Sequence, residues 1–314
     1  MTRRIAVLVT ALVAVTGLTS FSANAAPDTA GAASTMGFPG ELKLPDGFRP
    51  EGIAIGRAPV AYFGSLADGR IQQVDLRTGK GAQLSPAVGG PSIGMKVDPA
   101  RNRLYVAGGS ELRAIDLRDG KVLGRWPVPG PGAFVNDVVV ARDGVYFSDS
   151  YKPTLYKLAI GRDGSLPKDA QAIALSGEWE QVPNSFNGNG ILTTPDEQAL
   201  VLGNSSTGKL YRVDPATGAA KVVDLGGTTI PGNDGELRVG RDVYIMENGR
   251  NTIAKVELSQ DGTKGSLQRR LFDAHFDIAT AVAVFGDSLY AVNARFSTPP
   301  TPTTPYTAVA VPRF

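Results

Sequence analysis

The chain has 314 residues, with 32 Lys and Arg against 30 Asp and Glu, one His and no Cys. A formal charge of +2 offers no basic surplus for a polyanion or an anionic bilayer, which argues against nucleic-acid and membrane-surface partners. Without cysteine there is neither a disulfide framework nor a thiolate metal site, and 38 Gly with 22 Pro point to many short turns.

Residues 1–25 read as a secretory signal peptide: Arg3 and Arg4 precede an apolar run over 5–18, and Ala23-Asn24-Ala25 supplies a small-residue cleavage site. The run is too short, and too soon broken by Thr and Ser, for a membrane span. A lipid anchor would need a cysteine. The twin arginine lacks the continuation of a Tat signal, so Sec export is predicted, giving a secreted protein with no membrane attachment. Loss of Arg3 and Arg4 leaves 30 basic against 30 acidic residues. Residues 26–38 are small and polar and are predicted to be a disordered leader. Residues 39–314 form one β domain, read as a monomer.

GELKLP, residues 40–45, is strand-like with no partner in its own stretch. From Glu51 onward one pattern repeats six times: a short apolar strand, a turn, a strand built on Tyr, Phe or Val, a polar loop, and a third strand. First strands read GIAIG, GMKVD, DVVVA, GILTT, GELRV and AVAVF; second strands include VAYFGS, RLYVAGG and GVYFSDS. Anchors at Gly52, Gly94, Asp137, Gly190, Gly235 and Ala281 are separated by 42, 43, 53, 45 and 46 residues. Turn signals such as RTGK, RDGK and ATGA punctuate the units, and five units add a fourth outer run such as KVLGRWPV.

Repeats of this length with four strands predict an all-β, six-bladed β-propeller. The sixth unit has no outer strand of its own, so residues 40–45 are predicted to supply it and close the ring. Two departures stand out. The longest step inserts residues 166–188, with Glu178, Trp179 and Glu180. The Pro-rich STPPTPTTPY, residues 297–306, reads as a semi-rigid polyproline-like flap or as a plain surface loop.

The residue before each anchor is Glu51, Ile93, Asn136, Asn189, Asp234 and Thr280. Singly, an Asn or Asp before a strand is a common turn residue. Two carboxylates and two amides at one offset in a radial repeat instead converge on the axis. Glu51, Asn136, Asn189 and Asp234 are therefore the candidate metal ligands. Two carboxylates balance a divalent charge, and amide oxygens with open positions suit Ca2+ better than Mg2+, with another divalent cation as the alternative. Zinc is disfavoured with one His and no Cys. Loops from second to third strands open on the same face and carry Asp149, Ser150 and Tyr151; Asn204 and Ser205; Glu247, Asn248 and Arg250; and Asn293 and Arg295.

The stretches PEGIAI, VNDVVVARDGVYFSDS, NGNGILTTPDEQALVLGNSSTGKLYRVDPATG and NDGELRVGRDVYIMENG resemble the regucalcin/gluconolactonase-like six-bladed propellers over residues 40–314. The resemblance implies a divalent metal, usually calcium, held in the central channel at Glu51, Asn136, Asn189 and Asp234. It also implies hydrolysis of sugar lactones or organophosphates. Asp234 becomes the candidate general base or nucleophile. Sugar-lactone members carry Arg two residues before the first Asn; here that residue is Phe134, which costs a charge-assisted hydrogen bond and predicts a more apolar pocket. Phe134, Asp149, Asn204, Glu247 and Asn293 are the candidate substrate contacts. His275, the one histidine, reads as a loop residue or as a pocket residue.

Two functions follow as expectations. The first is an exported calcium-dependent hydrolase of a lactone or related ester, with the metal as Lewis acid and a small molecule as substrate. The second is a non-catalytic, calcium-stabilised propeller that binds a small ligand, a peptide or a cell-wall component. A third arrangement keeps the ring but plugs its mouth with the Pro-rich segment.

Overall fold

The computed structural model describes residues 28–29 and 37–314; the stretch predicted as a signal peptide and most of the predicted leader lie outside the described residues. Six separate sheets, each wound from its first strand outward in chain order, make a six-bladed β-propeller. Blades 1 to 6 span residues 50–85, 95–127, 135–174, 188–222, 233–272 and 279–312. Their inner strands are Pro50–Ile55, Met95–Asp98, Val135–Ala141, Gly188–Thr193, Asn233–Val239 and Ala279–Phe285. Each inner strand packs against the next, and that of blade 6 packs against that of blade 1, so the ring is continuous.

Closure takes the form anticipated. Glu41–Leu44 pairs antiparallel with Tyr306–Pro312 as the outer strand of blade 6, so the last blade is completed from the beginning of the domain. Its alternation fits the position: Leu42 and Leu44 are buried while Glu41 and Lys43 are exposed. The blade 3–4 insertion adds a short strand, Ser176–Gly177, parallel to the outer strand of blade 4. Asp28–Thr29 likewise runs parallel to the outer strand of blade 5.

The core is divided into six apolar clusters, one between each pair of successive blades. Adjacent residues of a second strand serve different clusters because successive side chains leave opposite faces of a sheet. Tyr146 packs toward blade 4 and Phe147 toward blade 2; Tyr62 packs toward blade 2 and Phe63 toward blade 6. This explains why the aromatic residues seen in the sequence sit on second strands: they are the wedges between blades. Among the described residues, no helix is long and apolar enough to cross a membrane.

At the axis the inner strands approach too closely for side chains on every residue. A Cβ on Gly52 would lie 2.1 Å from the Ile93 carbonyl oxygen, and one on Gly190 would lie 2.4 Å from that of Asp234. Four of the six repeat anchors, Gly52, Gly94, Gly190 and Gly235, are thus glycines for lack of room. Hydroxyls pin neighbouring inner strands across the same gaps. Ser148 Oγ donates to the Asn189 carbonyl at 2.6 Å, Ser205 Oγ to that of Asn233 at 2.5 Å, and Thr280 Oγ1 to that of Glu51 at 2.7 Å.

Candidate functional site

In five blades the inner strand slips register against its neighbour over one short stretch, and that stretch holds the residue before the anchor. The shifts fall between Pro50 and Ile53, Val135 and Val138, Gly188 and Ile191, Asn233 and Glu236, and Ala279 and Ala281. A bulge releases a residue from the ladder and re-aims its side chain. The outcome is that Glu51, Asn136, Asn189 and Asp234, from blades 1, 3, 4 and 5, line one cavity of about 280 Å3. Blade 2 offers Ile93 to the same wall, and Thr280 of blade 6 is spent on the Glu51 carbonyl.

The two amides are oriented by serines. Asn136 Nδ2 donates to Ser150 Oγ at 2.9 Å, and Asn189 Nδ2 donates to Ser205 Oγ at 3.0 Å. Each serine has already given its proton to a backbone carbonyl, Ser150 to Gly188 at 2.7 Å and Ser205 to Asn233 at 2.5 Å. A serine oxygen so committed can only accept, which fixes each Nδ2 toward the serine and leaves Oδ1 as the free end of the amide. Asn189 Oδ1 is buried with no hydrogen-bond partner. Asn248 Nδ2 donates to Asp234 Oδ2 at 2.8 Å and holds that carboxylate in place.

The electrostatics are those of a site short of positive charge. Burial, then Asp234 and Asp137, push Glu51 well above the usual carboxylate range. Burial raises Asp234 to about 7, against the lowering effect of bonds from Asn248 and Asn189. One to three residues further along the inner strands, Asp137 and Glu236 face a small chamber with Lys96, of about 10 Å3. Burial raises Asp137 to about 6, and burial together with Asp137 pushes Glu236 well up, with both Glu236 oxygens unpartnered. Lys96 opposes both shifts from a distance. Four buried carboxylates with one cation among them, and an orphaned amide oxygen, fit a hard divalent ion. Among the described residues no three His, Cys, Asp or Glu gather as a metal-binding cluster; the ring has two acids, and its other two oxygens are amides.

Of the candidate substrate contacts, Phe134 lies on the cavity wall. Asp149, Asn204, Glu247 and Asn293 do not. Each closes its blade's second strand and is buried, its polar atoms taken up by neighbouring loops and strands. Asp149 accepts from the Phe134, Tyr151 and Lys152 N–H groups and from Tyr156 Oη. Asn204 accepts from the Ser206 and Thr207 N–H groups and donates to the Glu180 carbonyl. Glu247 holds Arg270 in two bonds, at 2.7 and 3.0 Å, and accepts from Thr252. Asn293 bridges the Asp277 N–H and the His275 carbonyl. These side chains shape the mouth by bracing its loops. His275 is away from the cavity, its Nδ1 2.7 Å from Asp273 Oδ1 and its side chain largely exposed.

The mouth carries residues that the sequence pattern did not single out: Leu66, Phe186 and Phe296 line the cavity beside Phe134. Phe186 arrives on the blade 3–4 insertion. The acidic residues noted in that insertion are turned elsewhere, Glu178 to the Val222 N–H and Glu180 to Lys209. The Pro-rich segment differs from a polyproline extension. It folds into two turns, at 296–297 and 302–303, held by Thr301 and Thr304 and tethered where the Gly47 N–H meets the Thr304 carbonyl. It walls an adjoining cleft of about 260 Å3 with Arg49 and Arg295, and the ring cavity is not filled by it.

No family model matches the chain, and no curated protein matches it in sequence. Solved structures do resemble it. The major allergen Mala s 1 of Malassezia sympodialis aligns with a TM-score of 0.65 at 17% identity, over 87% of this chain and 96% of that one. Regucalcin from Agrobacterium tumefaciens str. C58, a calcium-binding protein, aligns at 0.61 and 17% identity, over 88% and 96%. Virginiamycin B lyase from Staphylococcus aureus aligns at 0.53 and 12%, over 87% and 99%. At these identities the likeness establishes the propeller fold.

Proposed function

We propose that the chain is an exported calcium-dependent hydrolase of a lactone or related ester. The observation that carries the reading is the convergence of Glu51, Asn136, Asn189 and Asp234 on one cavity, with the Asn189 amide oxygen unpaired. Regucalcin, on the same fold, is a calcium-binding protein, and the fold carries a lyase in Staphylococcus aureus. A divalent cation bound by the four residues would supply Lewis-acid polarisation of a carbonyl oxygen. Glu51 and Asp234 supply the counter-charge, and Ser150 and Ser205 keep the amide oxygens turned inward. Asp234, steadied by the Asn248 hydrogen bond, is the candidate to take up and return a proton beside the bound cation. Leu66, Ile93 and Phe134 keep the surroundings apolar, which strengthens each of these interactions. The test is to titrate calcium into chelator-treated protein and screen lactone and aryl-ester hydrolysis, with Asp234→Asn beside the parent. Unchanged turnover in Asp234→Asn removes the mechanism.

One observation favours a second reading, a calcium-stabilised propeller that binds a ligand without turning it over. Among the described residues, Glu51 and Asp234 are the only titratable side chains on the cavity wall, and both are also ligand candidates, so no separate acid stands by there. Calcium-linked stabilisation with no turnover across the screen is the result that selects it.

A further inference from the structure

We propose that the cavity selects substrates whose reacting group carries a flat apolar arm, an aryl ring in the clearest case, seated between Phe134 and Phe186 on one side and Phe296 on the other. That the reacting group is an ester or lactone rests on the function proposed above; the arm site does not. Six large apolar side chains are conspicuously exposed among the described residues, and three of them, Tyr151, Phe186 and Phe296, gather at this one mouth. Phe186 and Phe296 are 44% and 55% exposed, an unfavourable display unless something covers them.

Their placement makes a slot. Phe134 precedes the inner strand of blade 3 and Phe186 that of blade 4, whereas Phe296 and Leu66 lie in the loops after the second strands of blades 6 and 1. In a ring of six, blade 3 faces blade 6 and blade 4 faces blade 1. The two apolar groups therefore stand across the cavity from each other, with the oxygen ring between and below them. The first side is rigid before any ligand arrives. Phe134 meets Phe186 edge-on at 5.4 Å and 90°, and Tyr151 braces both, at 5.7 Å from Phe134 and 4.9 Å from Phe186. Rings packed on one another leave no box for an ammonium group, but they present a continuous apolar face. The wall carries no Lys or Arg to hold an anionic or heavily hydroxylated arm. A preformed face of this kind favours binding because little has to be ordered.

The arm is tested with pairs that differ only in it. Calorimetry in calcium compares 4-phenylbutyrate with butyrate, and turnover compares ethyl 4-phenylbutyrate with ethyl butyrate. Burial of the phenyl group predicts a preference of about 10- to 100-fold for the phenyl member. Phe186→Ala and Phe296→Ala each remove most of that preference, with the fold intact by circular dichroism. Equal binding of the two acids, failure of 4-phenylbutyrate to bind, or a preference that survives both substitutions overturns the proposal. A phenyl preference in binding, with neither ester hydrolysed, upholds the arm site and counts against the hydrolase.

Discussion

Cation binding at the ring is predicted to be strongly pH-dependent, because the cation must displace protons that burial has placed there. Asp234 titrates near 7 in the cation-free site, against an ordinary value of 3.8. At pH 5 the carboxyl is protonated, and removing that proton two units below its pKa costs about 2.7 kcal/mol, roughly a hundredfold in affinity. At pH 8 that cost is gone. Glu51, also pushed up, adds in the same direction. The sign for stability follows from the same shift. A carboxyl raised in the folded state contributes stability that is present below pH 3.8 and lost as pH rises through about 7. Cation-free protein should therefore melt at progressively lower temperature from pH 4 to pH 7, while calcium restores more stability at pH 8 than at pH 5. Calorimetry in buffers of different ionisation enthalpy counts the protons released, and melting with and without chelator reads the stability. Affinity that stays flat from pH 5 to pH 8, with no proton release, refutes the electrostatic account of the ring.

Three further outcomes are expected. Ser205→Ala frees Asn189 to rotate and should weaken calcium binding about 10- to 100-fold, read by calorimetry, with the fold intact by circular dichroism. Thr280→Val removes the hydroxyl that bonds the Glu51 carbonyl across the blade 6–1 junction and should cost about 1–3 kcal/mol in denaturant unfolding. Gly52→Ala drives a Cβ against the Ile93 carbonyl and should prevent a stable fold, seen as loss of a cooperative melting transition.

The architecture was legible because a propeller repeats its physics. Each blade needs the same strand alternation, most carry a wedge aromatic on the second strand and four carry the crowded glycine, so six copies expose the pattern even at low identity to other propellers. The unpaired run at 40–45 showed how the ring closes, since a blade without an outer strand needs one from elsewhere. The shared offset of Glu51, Asn136, Asn189 and Asp234 likewise follows from a bulge repeated in the inner strands of their four blades. Loop side chains were less readable. Asp149, Asn204, Glu247 and Asn293 sit at repeat-equivalent places because they brace their loops, and register alone does not separate bracing from substrate contact. Phe186 and Phe296 lie in the irregular segments, where no repeat announces a role; the longer step before blade 4 and the Pro-rich stretch were the available signals. Asp137, named only as a repeat anchor, and Glu236 gave no sign of a shared chamber because each follows a ring residue within two positions and reads as part of the strand.

The most direct test of the central claim is anomalous diffraction from crystals grown with calcium and soaked with manganese. The account predicts one strong peak on the axis, within about 2.3–2.6 Å of oxygens from Glu51, Asn136, Asn189 and Asp234 for calcium. A saturating soak that leaves those four side chains without a peak, or puts the ion on other residues, contradicts it.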